Sequence, residues 1–140
     1  MTQTWVLYGI GSAICFAGMT LVYKKLLSSN INPLVLNLFV FGLTFFGFII
    51  WSTVTKTKIE LTTSLFLFLI LASIFALMGN FLDVKAIKDA PNPGYANTLK
   101  ATQLVLITLI APFLFNSSLT WQKLGGVILV LVGGAIISLS

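Results

Sequence analysis

Residues 61–82 read LTTSLFLFLILASIFALMGNFL, without one charged side chain. A helix rises about 1.5 Å per residue, so a stretch of this length covers the roughly 30 Å of hydrocarbon in a bilayer. Four further stretches, at residues 4–23, 34–51, 95–115 and 121–139, are comparably long and apolar. Short polar segments join them. The pattern predicts an all-α polytopic membrane protein, a bundle of five transmembrane helices in a single domain over residues 1–140.

Composition agrees and narrows the chemistry. Of 140 residues, 58% are hydrophobic and 8% charged, whereas about a quarter of an ordinary soluble domain is charged. There is no His, Cys15 is the one cysteine, and Glu60, Asp83 and Asp89 are the only acids. Such a set offers neither metal ligands nor a nucleophile with its base, so no catalysis, metal or cofactor is expected. The eight lysines are scattered and read as anchors at the membrane ends, which argues against nucleic acid as a partner. The first stretch has no basic leader and no small-residue cleavage pattern, so it is expected to be a retained helix. Trp5, Tyr8 and Tyr23 mark its ends as an aromatic belt would.

Helix boundaries carry their own chemistry. Asn32-Pro33 and Asn92-Pro93 each place a capping amide before a proline at the first helical position, so the second and fourth helices should begin there. Thr57-Lys58-Ile59-Glu60 has the form of a capping box ahead of the third helix, and Thr120 can cap the fifth. Pro112 should kink the fourth helix without ending it.

Polar side chains are expensive in hydrocarbon, so those retained there are pointers to function. On the third helix Ser73, Asn80 and Asp83 follow at spacings of seven and three, which puts them on one face. On the fourth, Asn97, Lys100 and Gln103 are each three apart and share a face as well. Either set lines a cavity or holds helices together by hydrogen bonds. Lys100 can snorkel to the interface, offer its charge to a solute, or pair with Asp83. Small residues lie at packing intervals: Gly9, Ala13 and Ala17 on the first helix, and Gly125, Gly126, Gly133 and Gly134 on the last. The latter four are candidates for packing within the subunit or in a dimer. The phenylalanines of the second helix, Phe39, Phe41, Phe45, Phe46 and Phe48, are expected to face lipid.

Five crossings put the termini on opposite sides, with Lys56, Lys58 and Lys123 on the amino-terminal side and Lys24, Lys25, Lys85 and Lys88 on the other. Three against four is nearly no bias, so insertion in either orientation is open.

The chain resembles the EamA-like domain of the drug/metabolite transporter superfamily. The pieces that carry the likeness, in order, are Trp5 through Lys24-Lys25, Asn32-Pro33-Leu34, Ala86-Ile87-Lys88 with Ala90-Pro91-Asn92-Pro93-Gly94-Tyr95-Ala96, and Leu119-Thr120-Trp121 followed by Gly126 and Gly133. The resemblance implies a transporter, with a cavity lined mainly by the first, third and fourth helices. It implies too that this chain is one unit where many relatives fuse two. Val40, Phe41 and Ser117 stand where relatives often carry a basic residue and a glutamate, so no role passes to those positions.

Alternating access needs two inverted repeats around a midplane site. One five-helix unit meets that need by pairing with a second copy inserted upside down. The expectation is an antiparallel homodimer, or a heterodimer with a similar five-helix protein, in the bacterial inner membrane. It would export a small metabolite or drug-like solute, with Ser73, Asn80, Asp83, Asn97, Lys100 and Gln103 facing it. Lysine with amides points to an anionic or zwitterionic solute. The competing expectations are a non-transporting membrane subunit packed against a larger partner, and a flippase for a lipid-linked head group.

Overall fold

The structure, a computed structural model, describes residues 4–139. All regular elements among them are helices: α1 (Thr4–Ser28), α2 (Pro33–Val54), α3 (Thr63–Asp89), α4 (Pro93–Lys100), α5 (Gln103–Phe115) and α6 (Trp121–Leu139). Four stretches, Thr4–Ser28, Pro33–Val54, Thr63–Asp89 and Pro93–Phe115, are long and apolar enough to cross a membrane, and α6 is a shorter apolar helix of 19 residues. The molecule is an α-helical membrane protein. Two compact units make it up, Met1–Lys88 and Asp89–Ser140.

In the first unit the helices outrun the apolar stretches that signalled them. α1 continues through Lys24 and Lys25 to Ser28, and α3 continues past Asp83 to Asp89. Apolarity ends at the membrane surface, but lysine propagates a helix nearly as well as leucine. α1 closes with three-residue turns, Ser29 N to Leu26 O and Asn30 N to Leu27 O at 3.1 Å each. Asn30 then turns the chain at φ 62°, a left-handed conformation that Asn tolerates. Two residues later Asn32 Oδ1 accepts the Leu34 N–H at 2.8 Å and opens α2 at Pro33, as the Asn-Pro pair predicts.

α2 ends in a Schellman closure. Lys56 N–H donates to Thr53 O at 3.2 Å and Thr57 N–H to Ser52 O at 3.0 Å, with Lys56 at φ 50° in the position usually held by glycine. This closure displaces the expected capping box. Thr57 is committed to α2, its hydroxyl 2.7 Å from that of Thr55, and residues 57–62 stay out of helix. Thr62 caps α3 instead, its Oγ1 accepting the Leu65 N–H at 3.4 Å.

In the second unit Asn92 Oδ1 accepts the Gly94 N–H at 2.8 Å and starts α4 at Pro93 as expected. The stretch after it is not one helix. Ala101 N–H is shared between Asn97 O at 3.0 Å and Thr98 O at 3.1 Å, and Thr102, Leu104 and Val105 N–H donate to the carbonyls three residues back at 3.0, 3.0 and 3.1 Å. The ladder thus tightens to 3₁₀ geometry between α4 and α5. The interruption falls at Ala101-Thr102, while α5 continues through Pro112 to Asn116, which caps it in the left-handed region. Thr120 opens α6, its Oγ1 accepting the Lys123 N–H at 3.4 Å. α6 packs on α4 and α5.

Candidate functional site

Burial in the first unit is concentrated where the end of α1, the start of α2 and the end of α3 meet. Thr20, Tyr23 and Leu27 of α1, Leu36 and Asn37 of α2, and Val84 and Ile87 of α3 are all buried, Ile87 completely. Elsewhere the spans are bare. No residue in the most apolar stretch of α3 is buried, and Phe39, Phe41, Phe45, Phe46 and Phe48 of α2 are exposed, as lipid-facing side chains should be.

Two polar links tie this junction. Lys24 Nζ donates to Ile87 O and Lys88 O at 3.1 Å each, so a cation from α1 caps the carboxyl end of α3 and meets its partial negative charge. Asn37 Nδ2 reaches the Asn80 carbonyl at 3.5 Å, a long contact between α2 and α3. Asp83 of α3 is half-buried next to Val84, which is buried in the junction.

Of the three polar residues expected on the third helix, Asn80 and Asp83 therefore belong to the junction and Ser73 does not. Ser73 is exposed, in a shallow groove among Leu69, Ile70, Ile74 and Leu77 of its own helix. Its hydroxyl donates back to Leu69 O at 2.8 Å, and Asn80 Nδ2 likewise to Ala76 O at 2.7 Å. Such bonds four residues back satisfy a polar group inside its own helix and leave the neighbouring helix uninvolved.

The junction also holds a residue that spacing did not single out. Asn37 is 9% exposed, and its Oδ1 has no hydrogen-bond partner. Leaving a buried acceptor unsatisfied costs about 1–3 kcal/mol. The signal was a lone amide in the run Pro33-Leu-Val-Leu-Asn37-Leu-Phe-Val, hidden beside the phenylalanines that mark α2 as a lipid-facing helix.

In the second unit Asn97 is half-buried on α4, while Lys100 ends α4 and Gln103 begins α5, both exposed. A 3₁₀ turn repeats every three residues, so the interruption keeps Lys100 and Gln103 on one side despite the broken helix. Lys100 stands at the breakpoint, where a backbone that departs from α geometry lies beside a cation. The glycines of α6 divide. A side chain on Gly134 would lie 3.2 Å from Thr98 Cγ2 of α4, whereas Gly125, Gly126 and Gly133 have nothing within 4 Å of such a position. Gly134 is thus taken up by packing inside the unit, and the other three glycines are not.

A helical chain with bare apolar spans and intramembrane amides fits a transporter, and comparison with known families decides which. The profile of the EamA-like transporter family matches residues 3–139. The chain belongs to the EamA-like transporter family. It is accordingly an integral, multi-pass membrane protein and a transporter of the drug/metabolite superfamily, a family of transporters and not of enzymes. No curated protein and no solved structure matches it.

Proposed function

We propose that this EamA-like chain exports a small metabolite or drug-like solute across the bacterial inner membrane by alternating access. Its working form is an antiparallel homodimer of single EamA-like units, each crossing the bilayer five times. The observation that carries this reading is the bareness of the spans: 0% of the most apolar window is buried in both Thr63–Asp89 and Pro93–Phe115, and 6% in Thr4–Ser28. Polar residues that a transporter places against solute, Asn80 and Asp83 on α3 and Asn97, Lys100 and Gln103 across α4 and α5, need facing helices to enclose them. Within one copy Asn80, Asp83 and Asn97 are half-buried and Lys100 and Gln103 exposed, and a second copy in inverted orientation completes the enclosure with the symmetry that alternating access requires.

Orientation is the test. In a Cys15→Ala background, single cysteines at Lys58 in the α2–α3 connection and at Ser29 in the α1–α2 connection are labelled in intact cells with a membrane-impermeant maleimide. Dual topology predicts that each position is labelled in about half of the molecules. Complete labelling at one position and none at the other overturns the antiparallel dimer.

A further inference from the structure

The Schellman closure at the end of α2 shapes more than a turn. It folds Thr57 back toward the last turn of the helix, where its N–H meets Ser52 O at 3.0 Å. Phe48, Trp51 and Ser52, which share one face of α2, and Thr57 then bound a mainly apolar groove of about 260 Å³. The groove is open and smaller than the pockets that enclose a solute. It lies at the end of a span whose phenylalanines are exposed to lipid, where a tryptophan sits at the level of the head groups.

The charges beside the groove are unspent. Lys56 and Lys58 flank Thr57 and are exposed, and among the described residues neither ammonium has a hydrogen-bond or ion-pair partner. Glu60, also exposed, has none either, and two lysines against one glutamate leave the connection a surplus of one positive charge. The carbonyls that would repel an anion at the end of α2 are largely taken: Trp51 O accepts from Thr55 N at 2.9 Å, Ser52 O from Thr57 N, and Thr53 O from Lys56 N at 3.2 Å. Ile59 and Leu61, 77% and 55% exposed, alternate with the charged residues, the composition of a segment that lies on a membrane surface. An apolar groove beside uncompensated cations complements a molecule with an acyl chain at one end and a phosphate at the other.

We propose that this groove, with Lys56 and Lys58, is a binding site for an anionic phospholipid, an acyl chain lying against Phe48 and Trp51 and the phosphate paired with the two ammonium groups. The site depends neither on transport nor on the antiparallel dimer.

Trp51 itself reports the occupant. In the full chain with Trp5→Phe and Trp121→Phe it is the one remaining tryptophan, and bromine on an acyl chain quenches its fluorescence on contact. The protein is placed in nanodiscs of phosphatidylcholine with a small, constant fraction of phosphatidylglycerol, and the bromine is carried either by the phosphatidylglycerol or by an equal amount of the phosphatidylcholine. Both leaflets are alike, so orientation has no influence. Brominated phosphatidylglycerol should quench about fivefold more, the preference that one surplus charge near an anionic lipid gives. Lys56→Gln with Lys58→Gln should abolish the preference, Lys25→Gln with Lys88→Gln should leave it, and high salt should weaken it. Equal quenching by the two lipids, a preference that survives Lys56→Gln with Lys58→Gln or high salt, or one lost as fully in Lys25→Gln with Lys88→Gln, each overturns the site. Added glycerol 3-phosphate should leave the quenching unchanged; displacement by it would overturn the lipid as occupant in favour of a free phosphate ester.

Discussion

At the scale of single residues, Lys24 shows how far a side chain's task can lie from its composition class. As one of eight lysines it reads as a membrane-end anchor, and so does its neighbour Lys25. Only the fold reveals that Lys24 crosses to α3 and closes its last carbonyls with two bonds of 3.1 Å, a link between residues 63 and 64 positions apart that no local pattern encodes. Charged hydrogen bonds of this kind are worth about 1–3 kcal/mol, less where water reaches them. Lys24→Met should therefore lower stability by about 1–2 kcal/mol, read as a drop in melting temperature of the purified protein. Lys24→Arg should retain most of it, and Lys25→Met should change little. Equal effects of Lys24→Met and Lys25→Met would make the cross-helix cap irrelevant.

At the scale of elements, what could be read beforehand was whatever chemistry is local. Apolar length located the spans, and Asn32-Pro33 and Asn92-Pro93 marked two helix starts because a cap and its helix are neighbours in sequence. Thr57-Lys58-Ile59-Glu60 misled because two helix ends compete for the same residues. Lys56 in the left-handed region commits Thr57 to closing α2, so α3 waits for Thr62. The break at Ala101-Thr102 left no trace in composition, for neither residue breaks helices and Pro112 drew attention away. Of the candidate site, the stripe Asn80 and Asp83 was legible, and Asn37 was not, because its significance depends on which helix faces it. α6 permits a direct comparison of positions. Gly134→Leu drives a side chain into Thr98 of α4 and should cost about 1–3 kcal/mol, whereas Gly126→Leu meets nothing within 4 Å and should leave the melting temperature of a single unit unchanged. Gly126→Leu should instead abolish any assembly that uses that face, measurable by crosslinking in membranes.

At the scale of the whole molecule, the near balance of lysines becomes a control that can be tuned. Five crossings would put Lys56, Lys58 and Lys123 on one side and Lys24, Lys25, Lys85 and Lys88 on the other, and on that topology Lys56→Ser with Lys58→Ser leaves one against four. That variant should insert in one orientation and lose transport. Co-expression with Lys25→Ser and Lys88→Ser, three against two, should restore it, because the two proteins supply opposite halves. A subunit that merely packs against a larger partner has one orientation and would show no such rescue.

The contact between Gly134 and Thr98 also sets an order of events. Chains are made from the amino terminus, so α4 leaves the ribosome well before the glycine that receives it. Until then Pro93–Lys100 is an eight-residue helix, shorter than an isolated helix needs to be stable in water. The part of the chain that carries Asn97 and Lys100 is thus completed only once α6 has been made, and a chain cut short inside α6 has its first unit built while its second lacks the helix that packs on α4 and α5.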